Sequence, residues 1–513
     1  MLSPGWKPRA ASAGNRGRGT PRPAYPAPGV HPGLGTDAPP GLKSMRYRLS
    51  LLALVVCAAP AAAADPGPWA TYRGNPQRTG NTDGKPGPAA PAVLWSVRSQ
   101  DHFVASPVVV GERVMLSGLG GFNRPTISLF PLAAAGAKVE PAWSKSAPYL
   151  KQASVSSAAV EKGLLVFGDG MHQDSGGMLH CVTADGGRPV WQLPVPGDLV
   201  HLEGGPTITD GKVYVGGGAA GVICVELEKA TLDGKDVDPP TIAKLQDAKW
   251  KDLQAKFEEQ KKKDPDFAVP PSEDQLLKPA PKKVWQAGEK RWHVDAAVNV
   301  SAGKVLVPTS YLDKEKVGER ALYCLDAVTG KEVWKAPLAQ NPWGGASVAG
   351  DTVVVPGSSV GYYFNEIKGA KGSLTALDLA TGKERWKKDL PGGVVGAAAV
   401  ADGQAVCTAT DGKVRSFRLT DGDRAWLYDA KAPVFAPPAV AGGVVYVADL
   451  LGTVHAIDAK TGAPKWTFPL GKDTPGMVYG GITVHGGRLV VATCNLEGPF
   501  ARRDTAVVCL GTR

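Results

Sequence analysis

The chain has 513 residues, with 64 glycines, 44 prolines and a formal net charge of +10. It is too long for one ordinary domain of about 150 residues, but a closed repeat fold can absorb that length as one unit. Gly and Pro make up about a fifth of the chain, which calls for many turns and few long helices, and no run of 18 apolar residues occurs in its body, which excludes a multi-span helical membrane protein.

The positive charge is concentrated at the start. Residues 1–64 carry eight basic side chains against the single acid Asp37, so residues 65–513 carry only +3. A nucleic-acid partner is therefore not expected, because phosphate binding needs a concentrated basic face in the folded part. Residues 1–44 are rich in Pro, Gly, Ala and Arg without hydrophobic periodicity, and read as a disordered or mis-assigned extension. Met45-Arg46-Tyr47-Arg48, the apolar run Leu49–Ala59 and the small residues Ala61–Ala64 read as a signal peptide over 45–64. This predicts a periplasmic or secreted protein with no membrane span after cleavage.

From residue 65 onward one thirteen-residue pattern recurs. It appears as LHCVTADGGRPVW (179–191), LYCLDAVTGKEVW (322–334), LTALDLATGKERW (374–386), VRSFRLTDGDRAW (414–426) and VHAIDAKTGAPKW (454–466). Each copy alternates as a strand, turns through a Gly-containing tetrad and leaves on a second strand that ends in Trp. Degraded copies reach Trp143 and Trp285, the latter after a charged insertion over 228–283. The chain end VVCLGTR (507–513) is a first strand whose partner is expected at VLWSV around Trp95. Two further strands separate successive hairpins, as in PAVAGGVVYVADL. The expected fold is all-β: an eight-bladed β-propeller of four-stranded antiparallel blades over 65–513, its ring closed by the N- and C-terminal strands. Trp95, Trp143, Trp191, Trp285, Trp334, Trp386, Trp426 and Trp466 share one repeat position and are expected to pack between blades.

Within the insertion, TIAKLQDAKWKDLQAKFEEQKKK predicts a helix with Ile242, Leu245, Leu253 and Phe257 near one face, preceded by Pro239-Pro240. Either it lies on the propeller's own flank or it docks a partner. Six cysteines follow the leader. Cys181, Cys224, Cys324 and Cys509 occupy one strand position in different blades, too far apart for disulfides, and read as small buried hydrophobes.

The A-x-D-x-x-T-G-x-x-x-W copies resemble the pyrroloquinoline quinone (PQQ) enzyme repeat, and WATYRGNPQRTGNTDG (69–84) resembles the segment preceding the propeller in secreted members. The resemblance spans residues 69–513. It implies the propeller fold but leaves the activity open, since the same repeat builds quinoprotein dehydrogenases and the non-enzymatic lipoprotein of the barrel-assembly machinery. For an enzyme of this class it implies PQQ with a calcium or lanthanide ion held by oxygen ligands. The chain has no adjacent cysteine pair, no Cys-x-x-Cys-His and no clear match to the family's Glu, Asn and Asp ion ligands.

Each innermost strand is led in by a loop, and in register these loops give two positions. The first holds His102, His201 and His293 in blades 1, 3 and 4. The second, two residues on and on the same face, holds Glu203 and Asp295 beside two of them. The blade-2 loop FGDGMHQDSGG (167–177) brings Asp169, His172 and Asp174 to the same rim. Trp343, Phe435, Met477 and Tyr479 form an aromatic and apolar arc opposite. A ligand site is expected among His102, Asp169, His172, Asp174, His201, Glu203, His293, Asp295, Trp343 and Tyr479, with His102, His201, His293, Glu203 and Asp295 as candidate metal ligands. Three functions follow in order: a binding or scaffolding module for a protein or small molecule, a quinoprotein-like oxidoreductase, and a metal-dependent hydrolase using the histidine arc. The lack of a complete dehydrogenase signature favours a non-enzyme. Catalytic residues, the ligand and the oligomeric state are not legible.

Overall fold

The computed structural model describes residues 71–80, 84–120, 124–133, 139–172, 174–471 and 474–513. The leader expected over 1–64 lies outside them. The described strands form eight antiparallel sheets, each running outward from a short inner strand. Blade 5 is typical, with Ser347–Ala349, Thr352–Ser358, Gly372–Asp378 and Glu384–Leu390 paired in that order. The inner strands of blades 2 to 8 contact one another in order, and that of blade 8 contacts that of blade 1. The fold is the eight-bladed propeller expected from the repeats.

Closure is built as the repeat requires. Blade 8 takes Thr483–His485, Arg488–Ala492 and Thr505–Gly511 from the end of the chain and its outer strand, Ala92–Ser99, from the beginning. Trp95 pairs with Cys509 and Val97 with Val507, so the C-terminal strand is hydrogen-bonded on both edges. The sheet that joins the two ends of the chain is thus a complete four-stranded blade.

The repeat motif's residue types have local physical causes. Asp326, Asp378 and Asp458 each accept hydrogen bonds from the backbone N–H and hydroxyl of the Thr three residues on, which fixes the turn. The following glycine is left-handed, as at Gly382 with φ +71°, where a Cβ would stand 2.5 Å from the Trp334 ring of the preceding blade. Each repeat Trp donates its indole N–H to a backbone carbonyl across a blade boundary: Trp191 to Leu227 at 2.9 Å, Trp386 to Leu419 at 2.9 Å and Trp426 to Ala459 at 2.9 Å. Trp95, Trp143, Trp285 and Trp334 do the same, and Trp466, at the closure, donates to Pro88. All six described cysteines are buried and free.

The insertion's helix, Pro239–Lys263, is capped by Asp238, whose carboxylate accepts from Thr241 N–H. The two prolines open the helix rather than precede it, because the first helical turn needs no proline N–H. Its buried side chains are Ile242 and Gln246, whereas Leu245 is exposed. The Gln246 amide donates to the carbonyls of Pro189 and Leu277 and its oxygen accepts from Arg188, so a polar anchor fastens the helix to the flank of blade 2.

Residues 71–80 play a part that the repeats did not reveal. Their carbonyls accept from Val300, Val348, Val400 and Val440 N–H on the inner strands of blades 4 to 7, and Thr71 bridges Ala159 in blade 2. Arg73 and Arg78 are both buried. Arg73 donates to the Pro438 and Ala398 carbonyls, and Arg78 to Thr71, Gly205, Pro206 and Thr207. This segment plugs the axis and ties six blades together.

Candidate functional site

Above the plug, the loops leading into the inner strands of blades 3 and 4 carry His201-Leu202-Glu203 and His293-Val294-Asp295. Local β-bridging between Gly218 and Val294 sets the second of these against blade 3. A Cβ at Gly204 would stand 2.7 Å from the Ala296 backbone, so the two loops touch only because that residue is glycine. His201 and His293 are wholly buried and present their Nε2 atoms to each other at 3.3 Å. Asp295 Oδ1 lies 2.8 Å from His293 Nε2 and 3.3 Å from His201 Nε2.

The blade-2 loop completes the cluster. The His172 ring packs edge-on against His201 and His293, with centroids 5.3 and 5.5 Å away. The loop is fixed because His172 N–H donates to Glu203 Oε1 at 2.6 Å and Met171 N–H to Asp174 Oδ2 at 2.9 Å. His172, His201, His293 and Asp295 each offer a ligand atom within 4.8 Å of the others. Glu203 Oε1 stands behind this group, 3.5 Å from His201 Nδ1, and Glu315 Oε1 lies 4.0 Å from His172 Nε2.

Burial shapes the charges. It pushes His201 down to about 4, so its imidazole is neutral with a free lone pair. Burial, then repulsion by Asp295, pushes Glu203 up to about 8. Asp295 is also pushed upward by burial, but the His293, His201 and His172 rings outweigh that and hold it below the usual carboxylate range. Both Asp295 oxygens and the Nδ1 atoms of His201 and His293 are buried without an aligned hydrogen bond. Buried polar atoms in this state cost about 1–3 kcal/mol each unless something satisfies them.

Two of the residues expected at the rim work elsewhere. His102 is held by blade 8, its Nδ1 accepting from Asn495 N–H at 3.0 Å, and it does not join the cluster. Asp169 points away, to His180 Nε2 at 2.8 Å and Met178 N–H. Asp169, Met178 and His180 border a cavity of about 410 Å³ with Tyr149, Gln152, Gln192 and Lys278. The same carboxylate-to-strand contact recurs as Asp449–His455 and Asp411–Arg415, which marks it as a device of the blade.

The opposite arc is apolar. Phe435, Met477, Tyr479, Val395 and Leu450 form one buried cluster, with Trp343, Tyr362 and Phe364 against it. Tyr479 donates to Glu497, whose carboxylate also accepts from Phe364 N–H, so the loops of blades 5 and 8 meet over this side. The Trp343 indole N–H is buried without a partner. Tyr362 and Glu497 escaped the sequence reading because they lie on long loops outside the repeat register. Arg78 of the plug donates to the carbonyls of Gly205 and Pro206, which follow Glu203 on the blade-3 loop, so the plug lies beside the titratable arc.

The fold and its funnel define a PQQ-like repeat propeller with a titratable arc facing an aromatic one. The family described as outer membrane protein assembly factor BamB matches residues 88–243, 277–371, 344–436 and 430–507, and the chain belongs to it. Among curated relatives, BamB of Burkholderia pseudomallei is 32% identical over 147 residues, 26% of this chain and 38% of that protein. A polyvinylalcohol dehydrogenase of Sphingopyxis sp. is 29% identical over 172 residues, 29% of this chain and 23% of the relative. The chain spans less than half the length of these relatives. Among solved structures, BamB from Moraxella catarrhalis superposes with a TM-score of 0.53 at 14% identity, covering 83% of this chain and 98% of that one. The quinohemoprotein alcohol dehydrogenase from Comamonas testosteroni gives 0.60 at 14% identity, covering 88% and 82%. These likenesses show the fold alone. No helix among the described residues is long and apolar enough to cross a membrane.

Proposed function

We propose that this chain is a periplasmic or secreted binding module whose funnel takes a polar ligand, or a polar group of a protein partner, between the histidine–carboxylate arc and the aromatic arc. The observation that carries this is the set of buried polar atoms left without hydrogen bonds at one place: both Asp295 oxygens, His201 Nδ1, His293 Nδ1 and, across the funnel, Trp343 Nε1. A rim built only for stability would pair such atoms or leave them in water. Kinship with an outer-membrane assembly factor supports a scaffolding role for the propeller faces. The test is a thermal-shift screen of polar small molecules on wild type and on the His201→Ala, His293→Ala double variant. A ligand that stabilises wild type and not the variant is expected; equal responses from both would reject the funnel as the site.

The second reading, a quinoprotein oxidoreductase, draws on the dehydrogenase relatives. The residues present do not fit a calcium-held quinone. Calcium takes six to eight oxygen ligands, whereas the atoms that converge here are three imidazole nitrogens and one carboxylate. The aromatic side chains that could sandwich a planar ring are already packed into a buried cluster.

A further inference from the structure

From the donor set and its spacing, we infer that His201, His293, Asp295 and His172 form a binding site for a first-row divalent transition metal, with zinc the best match. The inference deepens the funnel reading by naming the chemistry of its polar arc.

Spacing is the first argument. Four ligands at about 2.0–2.1 Å around a tetrahedral zinc ion stand about 3.3–3.4 Å from one another. His201 Nε2 is 3.3 Å from His293 Nε2 and 3.3 Å from Asp295 Oδ1, and the His293–Asp295 edge is 2.8 Å. These three atoms already sit close to one face of such a tetrahedron. His172, on the blade-2 loop and about a third exposed, supplies the fourth donor within 4.8 Å.

Donor chemistry is the second. Two Nε2 atoms at this separation must share either a proton or a cation, and the Asp295 carboxylate between them favours the cation. Imidazole with a carboxylate suits zinc, copper, nickel and iron; magnesium and calcium prefer all-oxygen sets. Asp295 Oδ2 is buried without a hydrogen bond and Oδ1, although 2.8 Å from His293 Nε2, has none with good alignment; a cation would satisfy both. Glu203, 3.5 Å from His201 Nδ1, stands where a carboxylate orients a metal-bound imidazole.

The alternative is a proton-sharing cluster that never binds metal. It would leave Asp295 Oδ2 buried and unpaired beside three histidines, with nothing gained from bringing loops of three blades together.

The experiment uses the purified chain, stripped with a chelator and dialysed against buffered Zn²⁺ and, separately, Co²⁺. One equivalent of zinc is expected by elemental analysis. Cobalt should show the intense visible bands that mark four-coordinate geometry. His293→Ala and Asp295→Asn should each weaken zinc binding more than about a hundredfold, whereas His102→Ala, outside the cluster, should bind as wild type does. Should the buried variants fail to fold, His172→Gln on the exposed loop takes their place and is expected to lose at least about tenfold. Folded wild type that binds no zinc or cobalt, or folded ligand variants that bind as well as wild type, would overturn the site. A funnel that still responds to an organic ligand in the thermal screen would then stand without the metal.

Discussion

Deleting residues 507–513 should unfold the whole propeller rather than fray its end. The segment carries Val507, Val508, Cys509 and Leu510, all fully buried in the central strand of blade 8. Burying a Val or Leu side chain is worth roughly 1.5–3 kcal/mol, so the three aliphatic residues alone represent about 5–9 kcal/mol. A domain's net stability is about 5–15 kcal/mol. The deletion also removes the pairing partners of Ala92, Val93, Trp95, Ser96 and Val97, exposing Trp95 and reopening two sheet edges. Because each blade is supported by its neighbours, the loss propagates around the ring. Circular dichroism melts and size-exclusion chromatography of the truncated chain should show no cooperative transition, or one strongly lowered. The milder Leu510→Ala should retain a cooperative melt while costing about 2–5 kcal/mol. A truncated protein melting at the wild-type temperature would refute the closure argument.

Two further outcomes follow from buried polar contacts. Arg78→Met should cost about 3 kcal/mol or more by chemical denaturation, since it strips charge-assisted bonds from Thr71, Gly205, Pro206 and Thr207 at the axis. His102 is held below the ordinary histidine range by burial, against an opposing pull from Asp101. Its folded value is depressed, so the neutral ring that accepts from Asn495 contributes stability above about pH 6.5 that is lost as the pH falls further. Wild type should therefore lose melting temperature as the pH falls below about 6.5 more steeply than His102→Asn, whose side-chain oxygen can accept the same bond without titrating; parallel profiles would sink this.

The ring, its closure and the Trp positions were legible because a repeat multiplies a weak local signal eight times. Half of the site was legible for a simpler reason. A two-residue spacing puts His201 with Glu203, and His293 with Asp295, on one face, and adjacent blades must bring those faces together. His102 obeys the same register but is claimed by Asn495 of blade 8, 393 positions away along the chain, which no local pattern encodes. The plug was missed because Arg73 and Arg78 lie in a Gly-rich segment without periodicity, and their partners are carbonyls supplied by the closed ring. On the insertion's helix, hydrophobicity favoured Leu245 over Gln246. The amide won the buried position because two otherwise open carbonyls needed a donor there.

A funnel that binds without quinone chemistry should be indifferent to PQQ. The purified protein is incubated with PQQ and calcium, desalted, and assayed for retained quinone absorbance and for alcohol- or sugar-dependent dye reduction. Neither retention nor turnover is expected, since the converging donors are three imidazoles and one carboxylate and the aromatic arc is packed into a buried cluster. Stoichiometric retention with substrate-dependent dye reduction would contradict this.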